Sequence, residues 1–325
     1  MSESLDWEIS AAAQPNPDDY DFDLSRALSC VVSLRSHVPP NAFTAQVLGT
    51  ERGGDGVQIG DDGLVLTIGY LVTEADQIWL VDAEGKAANA HVVGYDQETG
   101  FGLVQALEPL AAETIALGDS ADLRVGDPVV VAGHGGRRRS VAAQVVAKRE
   151  FAGYWEYVLD EGIFTAPPHP NWGGAALIGT DGTLRGIGSL LIRQAGPGED
   201  GLDGNMVVPI DILKPILDDL MRYGQTRKPP RPWLGMLAME AEDRLVVAGM
   251  TNGGPAHKAE VHVGDVVVEV DGEPVDELAN MFRRVWAMGD AGVNVPLTVL
   301  REGEPVHIQV RSASRGDFLI APQLH

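Results

Sequence analysis

Residues 126–133 read Gly-Asp-Pro-Val-Val-Val-Ala-Gly, and the recurrence of that pattern decides the fold. Turn-forming residues bracket a short β-branched run, the signature of a strand held between turns. Runs of the same kind stand at 63–72 (GLVLTIGYLV), 77–83 (QIWLVDA), 91–96 (HVVGYD), 101–107 (FGLVQAL), 141–150 (VAAQVVAKRE) and 183–192 (TLRGIGSLLI). Asp62-Gly63, Glu84-Gly85 and Asp181-Gly182 supply turns between several of them. Many short strands from 25 to 210, with almost no helical periodicity, predict a mainly β architecture of barrel or sandwich type.

The period changes at 210–224. Ile212, Leu213, Ile216, Leu217 and Leu220 recur at helical spacing, Pro215 marks a kink or a start, and Gly224 is the stop. The basic, Pro-rich segment 226–232 (TRKPPRP) reads as an extended linker. Beyond it a second unit, 233–312, shows strands at LVVAGM, DVVVEVDG, VPLTVLREG and EPVHIQVRS. A helix is predicted over 277–288, with Asp276 as N-cap and Gly289 as stop. Residues 313–325 form a short tail.

The 325 residues carry 24 basic and 47 acidic side chains, a net charge of −23. That balance argues against a nucleic-acid or anionic-membrane surface, both of which need cationic patches. The chain lacks a run of ~18 apolar residues, so no spanning helix is expected. Cys30 is the single cysteine, which excludes an intrachain disulfide and reads as a core residue. Residues 1–24 carry seven acids and no base, without the basic and apolar regions of a secretion signal. They read as a solvated acidic arm, with Trp7, Tyr20 and Phe22 leaving room for docking onto a partner or a sister subunit, and the expected location is cytoplasmic. Arg137-Arg138-Arg139 is the one basic triplet; a solvated loop is its default reading, and contact with an acidic partner, the chain's own acidic arm being one candidate, the sharper one. His91, His134 and His169 lack metal-ligand spacing, and the Gly-rich turns lack a phosphate-loop context, so no metal or cofactor is expected.

Over roughly 25–312 the chain resembles the HtrA/Deg group, in which a trypsin-like double β-barrel is followed by an α+β PDZ domain. The resemblance is carried by Gly54-Asp55-Gly56-Val57, the 63–67 and 126–133 runs, Gly173-Gly174 with Asp181-Gly182-Thr183-Leu184-Arg185-Gly186-Ile187, and Val208-Pro209-Ile210 with Tyr223-Gly224-Gln225. Pro232-Trp233-Leu234-Gly235-Met236, Pro255-Ala256, Val263-Gly264-Asp265-Val266-Val267 and Val270-Asp271-Gly272-Glu273-Pro274-Val275 are similar to the PDZ part. It implies a protease-like domain at 25–225, a linker at 226–232 and a PDZ domain at 233–312, lying between the acidic arm at 1–24 and the tail at 313–325.

The same resemblance assigns the catalytic base, its orienting acid and the nucleophile to positions held here by Tyr70, Gly100 and Trp172. A phenol ionising near ~10 is a poor base at neutral pH. A glycine orients nothing by a side chain, and an indole has no nucleophilic oxygen. Pro170 stands where a backbone N–H is expected in the oxyanion hole, and proline has none to give. The expectation is therefore a pseudoprotease, not an enzyme, with Trp172 filling the old cleft.

The PDZ resemblance keeps its working parts. It implies capture of a C-terminal peptide by strand addition, with the terminal carboxylate held by N–H groups of the turn Trp233, Leu234, Gly235 and Met236. Met281, Phe282 and Val285 on the following helix are the expected pocket lining. Glu260 stands where the family usually has Gly, so a positive φ there would strain it. The favoured function is a peptide- or protein-binding scaffold, adaptor or regulatory subunit. An active serine endopeptidase with displaced catalytic residues and a holdase-type chaperone are the alternatives. The family's usual homotrimer is a further expectation.

Overall fold

The computed structural model describes residues 7–193, 195, 202–242 and 244–320. The first barrel comprises β1 (Val31–His37), β2 (Glu51–Gln58), β3 (Leu64–Ile68), β4 (Gln77–Val81), β5 (Ala87–Tyr95) and β6 (Phe101–Ala106), closed in the order β1-β2-β3-β6-β5-β4. A second comprises β7 (Pro128–Ala132), β8 (Ser140–Gly153), β9 (Tyr157–Ala166), β10 (Ala176–Ile178), β11 (Leu184–Ile192) and β12 (Gly204–Pro209), closed in the order β10-β11-β12-β9-β8-β7. The run 126–133 supplies β7, whose Val129, Val130 and Val131 are all buried. Closure leaves no unpaired sheet edge, which is how such short strands hold together.

The remaining sheet comprises β13 (Met236–Ala241), β14 (Arg244–Met250), β15 (Val266–Val270), β16 (Glu273–Pro274), β17 (Asn294–Arg301) and β18 (Glu304–Arg311). Its order is β13-β14-β15-β17-β18, with β16 paired to β15. The helix Leu278–Ala287 buries Leu278, Met281, Phe282 and Val285 in an apolar cluster with Leu234, Met236 and Val247.

The chain divides into two compact units. The first holds 1–149, 161–226 and 320–325; the second holds 150–160 and 227–319. The outer part of the β8–β9 hairpin thus belongs with the second unit rather than with 25–225, because Val158 and Ala152 pack into that unit's apolar cluster. Residues 313–319 join it too: Trp233 exchanges backbone hydrogen bonds with Ala313, and its ring lies 4.8 Å from that of Phe318.

Three local expectations change. The N-cap of the 278–287 helix is Glu277, not Asp276, and the Leu278 N–H is taken by the Glu240 carboxylate at 2.8 Å. In 210–224 the α-helix begins only at Leu217, after a 3₁₀ turn Ile210–Ile212, as Pro215 disfavours helical backbone in the residue before it. The arm, described from Trp7 onward, is docked as well as solvated. Ile9 donates its N–H to Arg138 O at 2.9 Å, Glu8 pairs with Arg138 at 3.0 Å, and the Arg139 guanidinium lies 4.3 Å from the Trp7 ring centroid. Glu8, Asp18, Asp19, Asp21 and Asp23 stay exposed, so the apolar and cation–π contacts form without stripping the arm's described acids of water.

Candidate functional site: triad positions and carboxylate nest

β3 ends at Ile68, and the 3₁₀ turn Gly69–Leu71 carries Tyr70 just beyond it. Gly100 immediately precedes β6, and the Gly69 N–H donates to its carbonyl at 2.7 Å. The loop before β10 brings Trp172 to the same place: a Cβ added to Gly173 would lie 2.7 Å from Tyr70 Oη. The fold therefore gathers positions 70, 100 and 172. Gly174 fixes the loop, since at φ +82° a Cβ there would fall 1.8 Å from Asp55 O. Glycine alone fits that approach.

Tyr70 Oη donates to Ser189 O at 2.9 Å. Burial pushes its phenol well above the ordinary 10, opposed by a hydrogen bond from the half-buried Trp172. Pro170 is exposed. His169, one residue earlier, is fully buried; Nε2 donates to Arg139 O at 2.7 Å, and Nδ1 accepts from the Asn171 N–H at 3.1 Å. Burial holds that imidazole below its ordinary 6.5. Its partners make it a loop anchor. Asp55, unremarked in the sequence as a titrating group, is buried with Oδ1 accepting the His134 N–H at 3.0 Å; burial pushes its carboxyl up to about 7. Cys30 is buried, and its thiol is pushed up to about 12 by that burial.

In the second unit the turn 233–236 precedes β13. Gly235 has φ +71°, and a Cβ there would sit 2.9 Å from the Trp233 ring and 3.3 Å from Pro255. That conformation turns successive N–H groups to one side. They converge on the carboxylate of Glu156, at the tip of the β8–β9 hairpin. Leu234 N–H reaches Oε1 at 3.2 Å and Oε2 at 3.1 Å; Gly235 N–H reaches Oε1 at 2.8 Å. Glu156 is buried, which pushes its carboxyl from 4.5 to about 7 against the pull of these N–H groups, that of Met236, and Arg315. Trp233, Leu234, Met236, Met281, Phe282 and Val285 are all buried, and Phe282 stacks on Trp286 at 5.9 Å. Glu260 does sit at φ +61°, its carbonyl held by Arg301 at 2.9 Å. Nothing in the sequence pointed to Glu156; its one local mark is φ +62° on a non-glycine residue.

The family model described as a trypsin-like peptidase domain matches residues 54–187, and that of the PDZ domain matches 232–311. The two matches give the order trypsin-like peptidase domain, then PDZ domain, which is similar to that of HtrA/DegP-type proteins. A probable periplasmic serine endoprotease DegP-like of Halomonas elongata is 28% identical over 270 residues, covering 79% of this chain and 55% of the relative. The periplasmic pH-dependent serine endoprotease DegQ of Escherichia coli is 26% identical over 291 residues, covering 83% and 62%. The chain thus spans little more than half the length of these relatives. A solved structure of the HtrA-type protease AlgW with decapeptide superposes with a TM-score of 0.54 at 21% identity, covering 90% of this chain and 97% of that one, which speaks to the fold.

Two expectations are corrected by these likenesses to HtrA/DegP-type proteins. The reading as a non-enzyme is overturned by relatives named as serine endoproteases. Tyr70, Gly100 and Trp172 exclude only chemistry carried by those three side chains, and the inference from them to the whole chain went too far. The cytoplasmic assignment is overturned because the same relatives are named periplasmic. One cysteine and an acidic composition suit either compartment, so neither feature carried an address.

Proposed function

We propose that this HtrA/DegP-type chain takes the C-terminal tail of a polypeptide into its PDZ groove. The observation that carries the reading is the pair of N–H groups at Leu234 and Gly235, aimed together at one carboxylate. A peptide's terminal carboxylate presents the same two oxygens to the same donors. Met236 opens β13, an end strand of its sheet, for strand addition, and Met281, Phe282 and Val285 back the pocket for the last side chain. Anisotropy of fluorescein-labelled peptides tests it: a free C-terminus binds, the amidated peptide does not, and Gly235→Val abolishes binding. Equal binding of free and amidated peptides would sink the reading.

A second reading, serine endopeptidase activity, is favoured by the peptidase-domain match and the names of the relatives. It calls for a nucleophile other than the side chains at 70, 100 and 172. Casein cleavage, with a fluorophosphonate label lost on one Ser substitution, tests it. The relatives' names also favour a periplasmic setting, and the HtrA type favours a homo-oligomer.

A further inference from the structure

We propose that Glu156 is a built-in ligand of the carboxylate nest, so that an incoming C-terminal tail must displace the hairpin tip 150–160 to bind. The inference rests on the PDZ reading above and adds a competitor to it.

Four features of the tip argue for this. Its carboxylate takes the N–H groups of Leu234 and Gly235, the donors a terminal carboxylate needs. Two residues on, Val158 is buried in the apolar cluster that holds Leu234, Met236, Met281, Phe282 and Val285, as a ligand's apolar side chain would be. Arg283, on the helix Leu278–Ala287, clamps both flanks of the tip, with Nη1 at 2.5 Å from Glu150 and Nη2 at 2.6 Å from Asp160. Glu156 itself stands at φ +62°, a conformation that persists in a non-glycine residue where surrounding contacts impose it. The tip thus reproduces a carboxylate, an apolar plug and a charged hold on the groove's helix. Burial of Glu156 gives the docked tip a cost of its own, which leaves the contact displaceable.

A site blocked by its own chain binds outside ligand more weakly, by the fraction of time it stands open. The test is anisotropy at pH 6 on the full chain, with a fluorescein-labelled decapeptide ending in valine with a free carboxylate, and its amidated form as control. Glu156→Ala is expected to bind the free-carboxylate peptide at least tenfold tighter than the parent. Arg283→Met frees the tip without touching the nest and is expected to bind about threefold tighter; it stands alone if Glu156→Ala does not fold. If the parent binds the peptide and both variants match it within twofold, the internal ligand is refuted and the PDZ reading stands. A parent that fails to bind beside a Glu156→Ala chain that binds supports both. If no chain binds, both fall together.

Discussion

Replacing Glu156 by glutamine should turn the stability gap between variant and parent into a function of pH. Burial pushes the Glu156 carboxyl from its ordinary 4.5 to about 7 in the folded chain. A carboxyl raised in this way contributes stability that is fully present below 4.5 and is lost as pH rises through about 7. The interval is 7 − 4.5 = 2.5 pH decades, and at about 1.36 kcal/mol each that comes to about 3 kcal/mol. Glutamine has the same shape and does not titrate. The variant therefore gains about 3 kcal/mol on the parent between pH 4 and pH 8, whatever constant offset its amide introduces. Arg315 pulls only on the ionised Glu156, and that pull is already contained in the folded value of about 7. Urea unfolding of the full chain across that pH range, followed by tryptophan fluorescence, measures the gap. A gap that stays flat refutes the titration of a buried carboxyl. A gap that moves in the parent's favour as pH rises means that the nest N–H groups hold Glu156 ionised against its burial.

Phe282→Ala removes a fully buried ring from the second unit's cluster and should cost about 3–5 kcal/mol, read as a lower urea midpoint for that unit. Trp7→Ala removes the cation–π contact with Arg139 and the edge contact with His169, together about 1–2 kcal/mol, so cleavage after Glu8 by a Glu-specific protease should speed up about tenfold. Unchanged cleavage would mean that Ile9 and its backbone bond to Arg138 hold the arm unaided.

The barrel strands were legible where side chains and backbone agree. Val129, Val130 and Val131 favour extended backbone, and Gly126 and Pro128 start the run cleanly. Agreement fails at β13. Met-Leu-Ala-Met-Glu-Ala is made of good helix formers, yet it is a strand because Met236–Ala241 pairs with β14 along its length. β2 carries three glycines and a buried Asp55, a poor strand on propensity, and pairing with β1 from Val31↔Val57 to His37↔Glu51 imposes it. Propensity is worth a few tenths of a kcal/mol per residue, and neighbouring strands overrule it.

The candidate sites divide in the same way. The helix face Met281, Phe282 and Val285 follows from helical spacing, whereas the turn Trp233–Met236 and the positions Tyr70, Gly100 and Trp172 were singled out only by the family resemblance. What those three mean for activity could not, since a side-chain identity rules out only its own chemistry. The arm's acids predicted solvation, and Trp7 and Ile9 found partners some 130 residues away.

By itself, then, the sequence determined the strands whose own residues favour extended backbone, the order of the two units and several of the turns, because each is written in residues that are neighbours along the chain. Only the tertiary structure decided that Glu156 fills the nest at Leu234 and Gly235. Those groups lie 78 and 79 positions apart. A hydrogen bond across that distance depends on how the hairpin tip folds against the second unit, which no local pattern encodes.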